Sequence, residues 1–158
     1  MNKWMSLSAI AISFLCLTGF SAPTQNSLPA SMSEMAQKYP DYVKQIGPSD
    51  KREVAITFDD APDPQFTPKI LDVLKQNHAK ATFFLIGNHA EAHPELVKRI
   101  ISEGNEIANH SYDHAYLPNL SPDKFQNEIL HTSKVINDIT GKAPLLFRPP
   151  YTSITEEE

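Results

Sequence analysis

The sequence predicts a mostly parallel α/β fold. Short apolar, β-branched or aromatic runs alternate with segments of helical period, and each crossover is long enough to hold a helix. The unusual polar residues fall just after the strand runs, where parallel α/β sheets carry their sites. Asp59, Asp60, His110 and Arg148 are therefore expected to gather at one end of the sheet although they are far apart in the chain. Four strand candidates are too few to close a barrel.

The chain has 158 residues, 41% of them hydrophobic, which suffices for one core and leaves no expectation of a second. Residues 1–21 read as an export signal: Lys3 supplies a basic start, residues 5–17 are mostly apolar, and Gly19, Ser21 and Ala22 are small. The apolar run is shorter than the roughly 20 residues that cross a bilayer, so no stable membrane span is expected. Cys16, the only cysteine, lies in this run, and the mature chain is expected to have no disulfide. Residues 22–52, rich in Ser, Pro and Gln, read as a linker or N-terminal wrap with a short helix over 31–39 that Pro40 ends.

The domain proper is expected over 53–158. Residues 54–58, VAITF, read as a buried strand that ends in Asp59 and Asp60. Thr67 as N-cap with Pro68 at the first helical position opens a helix to about Asn77, with Ile70, Leu71, Val73 and Leu74 on its apolar flank. Residues 81–86, ATFFLI, form the next buried strand, and Gly87 releases the chain from it. His93 and Pro94 start a second helix, marked by Leu96, Val97, Ile100 and Ile101 and stopped by Gly104. Residues 106–109 are a third strand leading into His110. Ser121 and Pro122 begin a third helix, with Phe125, Ile129, Val135, Ile136 and Ile139 apolar, Glu128 and Asp138 on its wet flank, and Gly141 as terminator. Residues 145–147 are the fourth strand, followed by Arg148, Pro149, Pro150 and Tyr151.

The net charge of -5 and the lack of a basic block interleaved with aromatics exclude a phosphate-neutralising surface, so nucleic acid is not an expected partner. His110 and His114 stand four positions apart and face one ion if the segment is helical or tightly turned; two solvated surface histidines have the same spacing. Asp59 and Asp60 at a strand end change the balance, because successive carboxylates of an extended segment point oppositely, one toward a metal and one toward its water. Strand-end aspartates also commonly cap the next turn. Two imidazoles and a carboxylate suit Zn2+ or another late first-row ion such as Co2+. Arg148 stands where a fixed cation holds a carboxylate, or forms a surface salt bridge. Phe83 and Phe84 read as core aromatics, and His78, His89, His93 and His131 as non-catalytic.

Four segments in order, TFDD at 57–60, KATFF at 80–84, HSYDH at 110–114 and FRPPY at 147–151, resemble the polysaccharide deacetylase family, also called the NodB-homology domain or carbohydrate esterase family 4. The likeness runs from Glu53 to Tyr151. It implies the N-terminal portion of a distorted (β/α) barrel and metal-dependent hydrolysis of N-acetyl groups on N-acetylglucosamine-containing glycan, peptidoglycan or chitin-like. By motif, Asp59 resembles the catalytic base, Asp60, His110 and His114 the metal ligands, Arg148 the group that orients Asp59, and Tyr151 the donor of a backbone N–H to the oxyanion. Two departures stand out: Ala61 and Thr152 occupy positions where the family usually has Gly, a concern if either backbone needs positive φ.

The family's later Asp/Trp and Leu-x-His elements have no counterpart, since Trp4 is the only tryptophan and His131 the last histidine. The chain is therefore expected to be C-terminally truncated, with uncovered sheet edges that permit self-association. Two other readings remain open at this point: a catalytically impaired glycan-binding or structural relic, and a metal-dependent O-acetyl esterase acting on a xylan-like polymer.

Overall fold

A computed structural model describes residues 31–47, 50 and 52–155. The expected export signal, Cys16 and the first part of the linker lie outside the described residues. A three-stranded parallel sheet, ordered β1-β2-β3, is built from β1 (Thr57–Ala61), β2 (Thr82–Leu85) and β3 (Glu106–Asn109). The central strand is the one whose sequence has no polar alternation, TFFL, because both of its faces are covered. Phe83 and Leu85 point into a cluster with Leu71, Val97, Ile100, Ile107, Val135 and Ile136, while Phe84 points the other way, toward Arg148.

The crossovers are helices, as a parallel sheet requires: α2 (Thr67–Gln76), α3 (Gly87–Ala92), α4 (Pro94–Ser102) and α5 (Pro122–Thr140). A short α1 (Met32–Lys38) precedes them. Its start is a capping box in which Ser31 Oγ accepts from Glu34 N at 3.2 Å and the Glu34 carboxylate accepts from Ser31 N at 3.0 Å. Gly104 and Gly141 take φ of +78° and +76° just past α4 and α5, so these helices stop where a left-handed residue costs least.

Several elements differ from expectation, each for a physical reason. The run at 54–58 does not become a buried strand from its start: pairing begins at Thr57, and Val54 is 90% exposed because no strand among the described residues lies beyond β1. Thr67 is the first residue of α2 rather than its cap; its Oγ1 accepts from Asp63 N, and Asp63 Oδ1 takes the N–H groups of Gln65 and Phe66. Helix α3 went unanticipated because GNHAEA has too few apolar residues for a helical period. The fourth strand reduces to a parallel bridge between Asn109 and Phe147, with Asn109 N donating to Leu146 O and Arg148 N to Asn109 O. Leu145 is 82% exposed. That bridge nevertheless sets residues 146–148 beside β3, next in line across the sheet.

Phe83 is fully buried at the centre of the cluster, so Phe83→Ala is expected to lower the unfolding free energy by about 3–5 kcal/mol in urea titration. Val73→Ala, on the exposed side of α2, is expected to change it by less than about 0.5 kcal/mol.

Candidate metal centre

Asp59 and Asp60 sit on an irregularity of β1. Phe58 pairs with Phe83 and Ala61 with Leu85, so three steps on β1 match two on β2 and one residue bulges out. Asp60 has φ of 60° there. The two aspartates are thus not separated by simple strand alternation, as expected from the sequence; the bulge re-aims Asp60 toward the histidines while Asp59 stays on the face of Thr57 and Phe84.

His110 follows β3 directly, with its N–H donated to Leu85 O at 2.9 Å, and its side chain is 4% exposed. Its Nδ1 lies 2.7 Å from Arg148 O. A carbonyl only accepts, so Nδ1 carries the hydrogen and the Nε2 lone pair points out of the fold. Burial pushes the imidazole below its ordinary pKa, more than the Arg148 carbonyl and the charge of Asp59 raise it. His110 is a neutral donor.

The Asp60 carboxylate stands opposite. Its Oδ1 is 3.5 Å from His110 Nε2 and 3.3 Å from His114 Nε2, and one donor atom from each of the three residues lies within 4.8 Å of the others. Donors about 2.1 Å from one ion at tetrahedral angles lie about 3.4 Å apart. The spacing and the donor types therefore fit a divalent cation, and the cluster can coordinate one.

The segment between the histidines is a tight turn, and its backbone groups are satisfied one by one. Ser111 N donates to Asn109 Oδ1 at 2.8 Å, and Ser111 O and Tyr112 O accept from the N–H groups of Gly87 and Asn88 at 2.9 and 3.1 Å. Asn88 Nδ2 donates to Asp113 Oδ1 at 3.0 Å. A Cβ on Gly87 would lie 2.5 Å from Thr132 Oγ1 and 2.5 Å from the Tyr112 ring, so only glycine lets α3 approach this turn. Glu128, expected on the wet flank of α5, is instead 8% exposed and accepts from Tyr112 N and Asp113 N at 2.8 and 3.0 Å. Its neighbours on α5 at 126 and 127 are exposed, and the spacing to Thr132, Val135 and Ile136 places it on the inward face.

Arg148 Nη1 lies 2.5 Å from Asp59 Oδ1 and 3.2 Å from Thr57 Oγ1, with the guanidinium 3.9 Å above the Phe84 ring. Phe84 is buried as expected, and it also floors Arg148. The Tyr151 ring packs edge-on against His114 with centroids 4.8 Å apart. His78 and His93 take no part in the cluster; His89 Nδ1 is 3.4 Å from the Asp60 carbonyl, and His131 stacks on Tyr112 at 4.2 Å.

Left-handed backbone concentrates here. Asp60, Ser111, His114, Tyr151 and Thr152 all have positive φ, and among the described non-glycine residues His78 alone does so elsewhere. Such residues hold about 1–3 kcal/mol each and persist where the surroundings over-determine them. Ala61 does not have positive φ and packs into the core, so its methyl group is accommodated. Thr152, at φ 52°, is a β-branched residue in a conformation suited to glycine.

Residues 46–157 match the profile of the family described as Polysaccharide deacetylase. A peptidoglycan-N-acetylglucosamine deacetylase of Bacillus cereus is 52% identical over 112 residues, which cover 71% of this chain and 41% of that protein. The crystal structure of the Bc1960 peptidoglycan N-acetylglucosamine deacetylase superposes with a TM-score of 0.70 at 51% identity, over 70% of this chain and 52% of that one. Peptidoglycan deacetylase PdaC from Bacillus subtilis gives a TM-score of 0.64 at 44% identity, over 65% of this chain and 51% of that one. The chain spans about half the length of these relatives.

Isothermal titration with zinc is expected to show one-to-one uptake, reduced at least tenfold in affinity by His114→Ala. Gly87→Ala is expected to lower the melting temperature and weaken the same uptake, because the turn must move from α3. His110 binds its proton less readily when folded, so the stability it contributes is present above its ordinary pKa near 6.5 and lost as the pH falls. The metal-free melting temperature is expected to fall below that pH, with a shallower fall in His110→Gln.

Proposed function

The chain belongs to the polysaccharide deacetylase family, and from that premise we propose that it carries the metal-binding part of an exported hydrolase that removes N-acetyl groups from N-acetylglucosamine units of peptidoglycan or a chitin-like glycan. The observation that carries this reading is the convergence of Asp60, His110 and His114 beside an Asp59–Arg148 pair. The relatives named as peptidoglycan deacetylases support the substrate class.

The ion is zinc, or another late first-row metal such as cobalt, which two imidazoles and one carboxylate favour. When bound, it supplies Lewis-acid polarisation of the acetyl carbonyl and lowers the pKa of water. Asp59 would take the proton of the attacking water and pass it to the sugar amine as the C–N bond breaks. Arg148 holds one oxygen of Asp59 and aims the carboxylate, while Phe84 fixes the guanidinium from beneath. The neutral His110, locked through Nδ1 to Arg148 O, keeps its Nε2 toward the ion. The stiff turn at Pro149 and Pro150 sets the Tyr151 ring against His114, and the backbone N–H of Tyr151 is the group we assign to the oxyanion.

Export is supported by Lys3, the apolar stretch at 5–17 and the small residues after it. No helix among the described residues is long and apolar enough to cross a membrane. Self-association is supported by the exposed side chains of Val54, Leu145 and Leu146.

With zinc or cobalt added, the chain is expected to release acetate from N-acetylglucosamine oligomers or from peptidoglycan. Asp59→Asn is expected to lower that rate by about 100-fold or more while leaving metal uptake in place. Metal uptake without acetate release from either substrate would contradict the reading.

A further inference from the structure

His110 is fixed by the sheet: its N–H is donated to Leu85 O and its Nδ1 to Arg148 O. His114 has no strand to hold it. It lies at the far end of the Ser111 to Asp113 turn, at φ 57°, and its distance from His110 depends on the path that turn takes. On one side α3 grips the turn through carbonyl oxygens, with Gly87 N and Asn88 N as donors. On the other side the N–H groups of Tyr112 and Asp113 both end on the same atom, Glu128 Oε2, at 2.8 and 3.0 Å. A carboxylate this buried is costly unless hydrogen-bonded, and the two converging N–H groups satisfy it.

We propose that Glu128 is a positioning residue of the metal centre: by holding two consecutive N–H groups between the histidine ligands, it sets the separation of His110 and His114 and thereby the affinity for the ion. The inference rests on the metal-binding reading of Asp60, His110 and His114. Glu128 touches neither ligand ring, and it acts on the centre through the backbone of the turn. Without its carboxylate the two N–H groups turn to water, the turn loses the side opposite α3, and His114 no longer meets the other donors at coordination distance.

Cobalt absorption titrations of the full chain test this, alongside metal-free melting and amide exchange at Tyr112 and Asp113. Glu128→Ala is expected to weaken cobalt binding by about 10–100-fold and to abolish protection of those two amides. Glu128→Gln keeps an acceptor oxygen and is expected to bind within about threefold of wild type. Leu74→Ala, which destabilises α2 instead, is expected to lower the melting temperature with no change in cobalt affinity. Where Glu128→Ala does not fold, Glu128→Asp, which withdraws the oxygen by one methylene, is expected to show weakened cobalt binding. Wild-type affinity in Glu128→Ala, or in Glu128→Asp where the alanine variant does not fold, would overturn the proposal, as would a Gln variant as weak as the Ala one. A wild-type chain that takes up no cobalt would overturn the metal reading itself, a result separable from both.

Discussion

Three donor atoms from distant parts of the chain have to meet within coordination distance, and the rest of the molecule is arranged around that requirement. Asp60 Oδ1 lies 3.5 Å from His110 Nε2 and 3.3 Å from His114 Nε2. A lone pair, a second imidazole and a carboxylate aimed at one point suit a cation, and His110 is too buried to take up a proton readily in its place. Parallel strands make the meeting possible, because the carboxyl ends of β1 and β3 lie on the same side of the sheet, with β2 between them.

Strands alone bring the donors near without aiming them. A bulge turns Asp60, the carbonyl of Arg148 fixes the tautomer of His110, and a tight turn gripped by α3 and Glu128 delivers His114. Left-handed residues mark the places where the backbone departs from its preferred geometry to do this. Arg148 joins the two halves of the centre, since its guanidinium binds Asp59 while its carbonyl orients His110. A disturbance of the 147–151 segment would therefore reach both Asp59 and His110.

The order of the three strands and of α2, α4 and α5 was legible because apolar periodicity follows burial, and burial here is that of an ordinary parallel sheet. The aspartates, histidines and Arg148 could be placed at one end from chain order alone. Less legible were features set by partners distant in sequence. Val54 looks like strand interior, but no neighbour among the described residues covers it. Asp59 and Asp60 look like an alternating pair, yet an inserted residue in the register separates their directions. Glu128 looks like a solvated helix charge until the turn it binds is seen; its spacing of four from Thr132 and eight from Ile136 was the available signal. Gly87 reads as a strand terminator, whereas its lack of a Cβ is what lets α3 and the turn touch.

X-ray absorption at the metal edge of the zinc-loaded chain reads whether Asp60, His110 and His114 meet on one ion. Nitrogen and oxygen scatterers are expected at about 2.0–2.2 Å from the ion, with the more distant scattering pattern of two imidazoles, one of which disappears in His114→Ala. A spectrum with no imidazole contribution, or one that His114→Ala leaves unchanged, would contradict it.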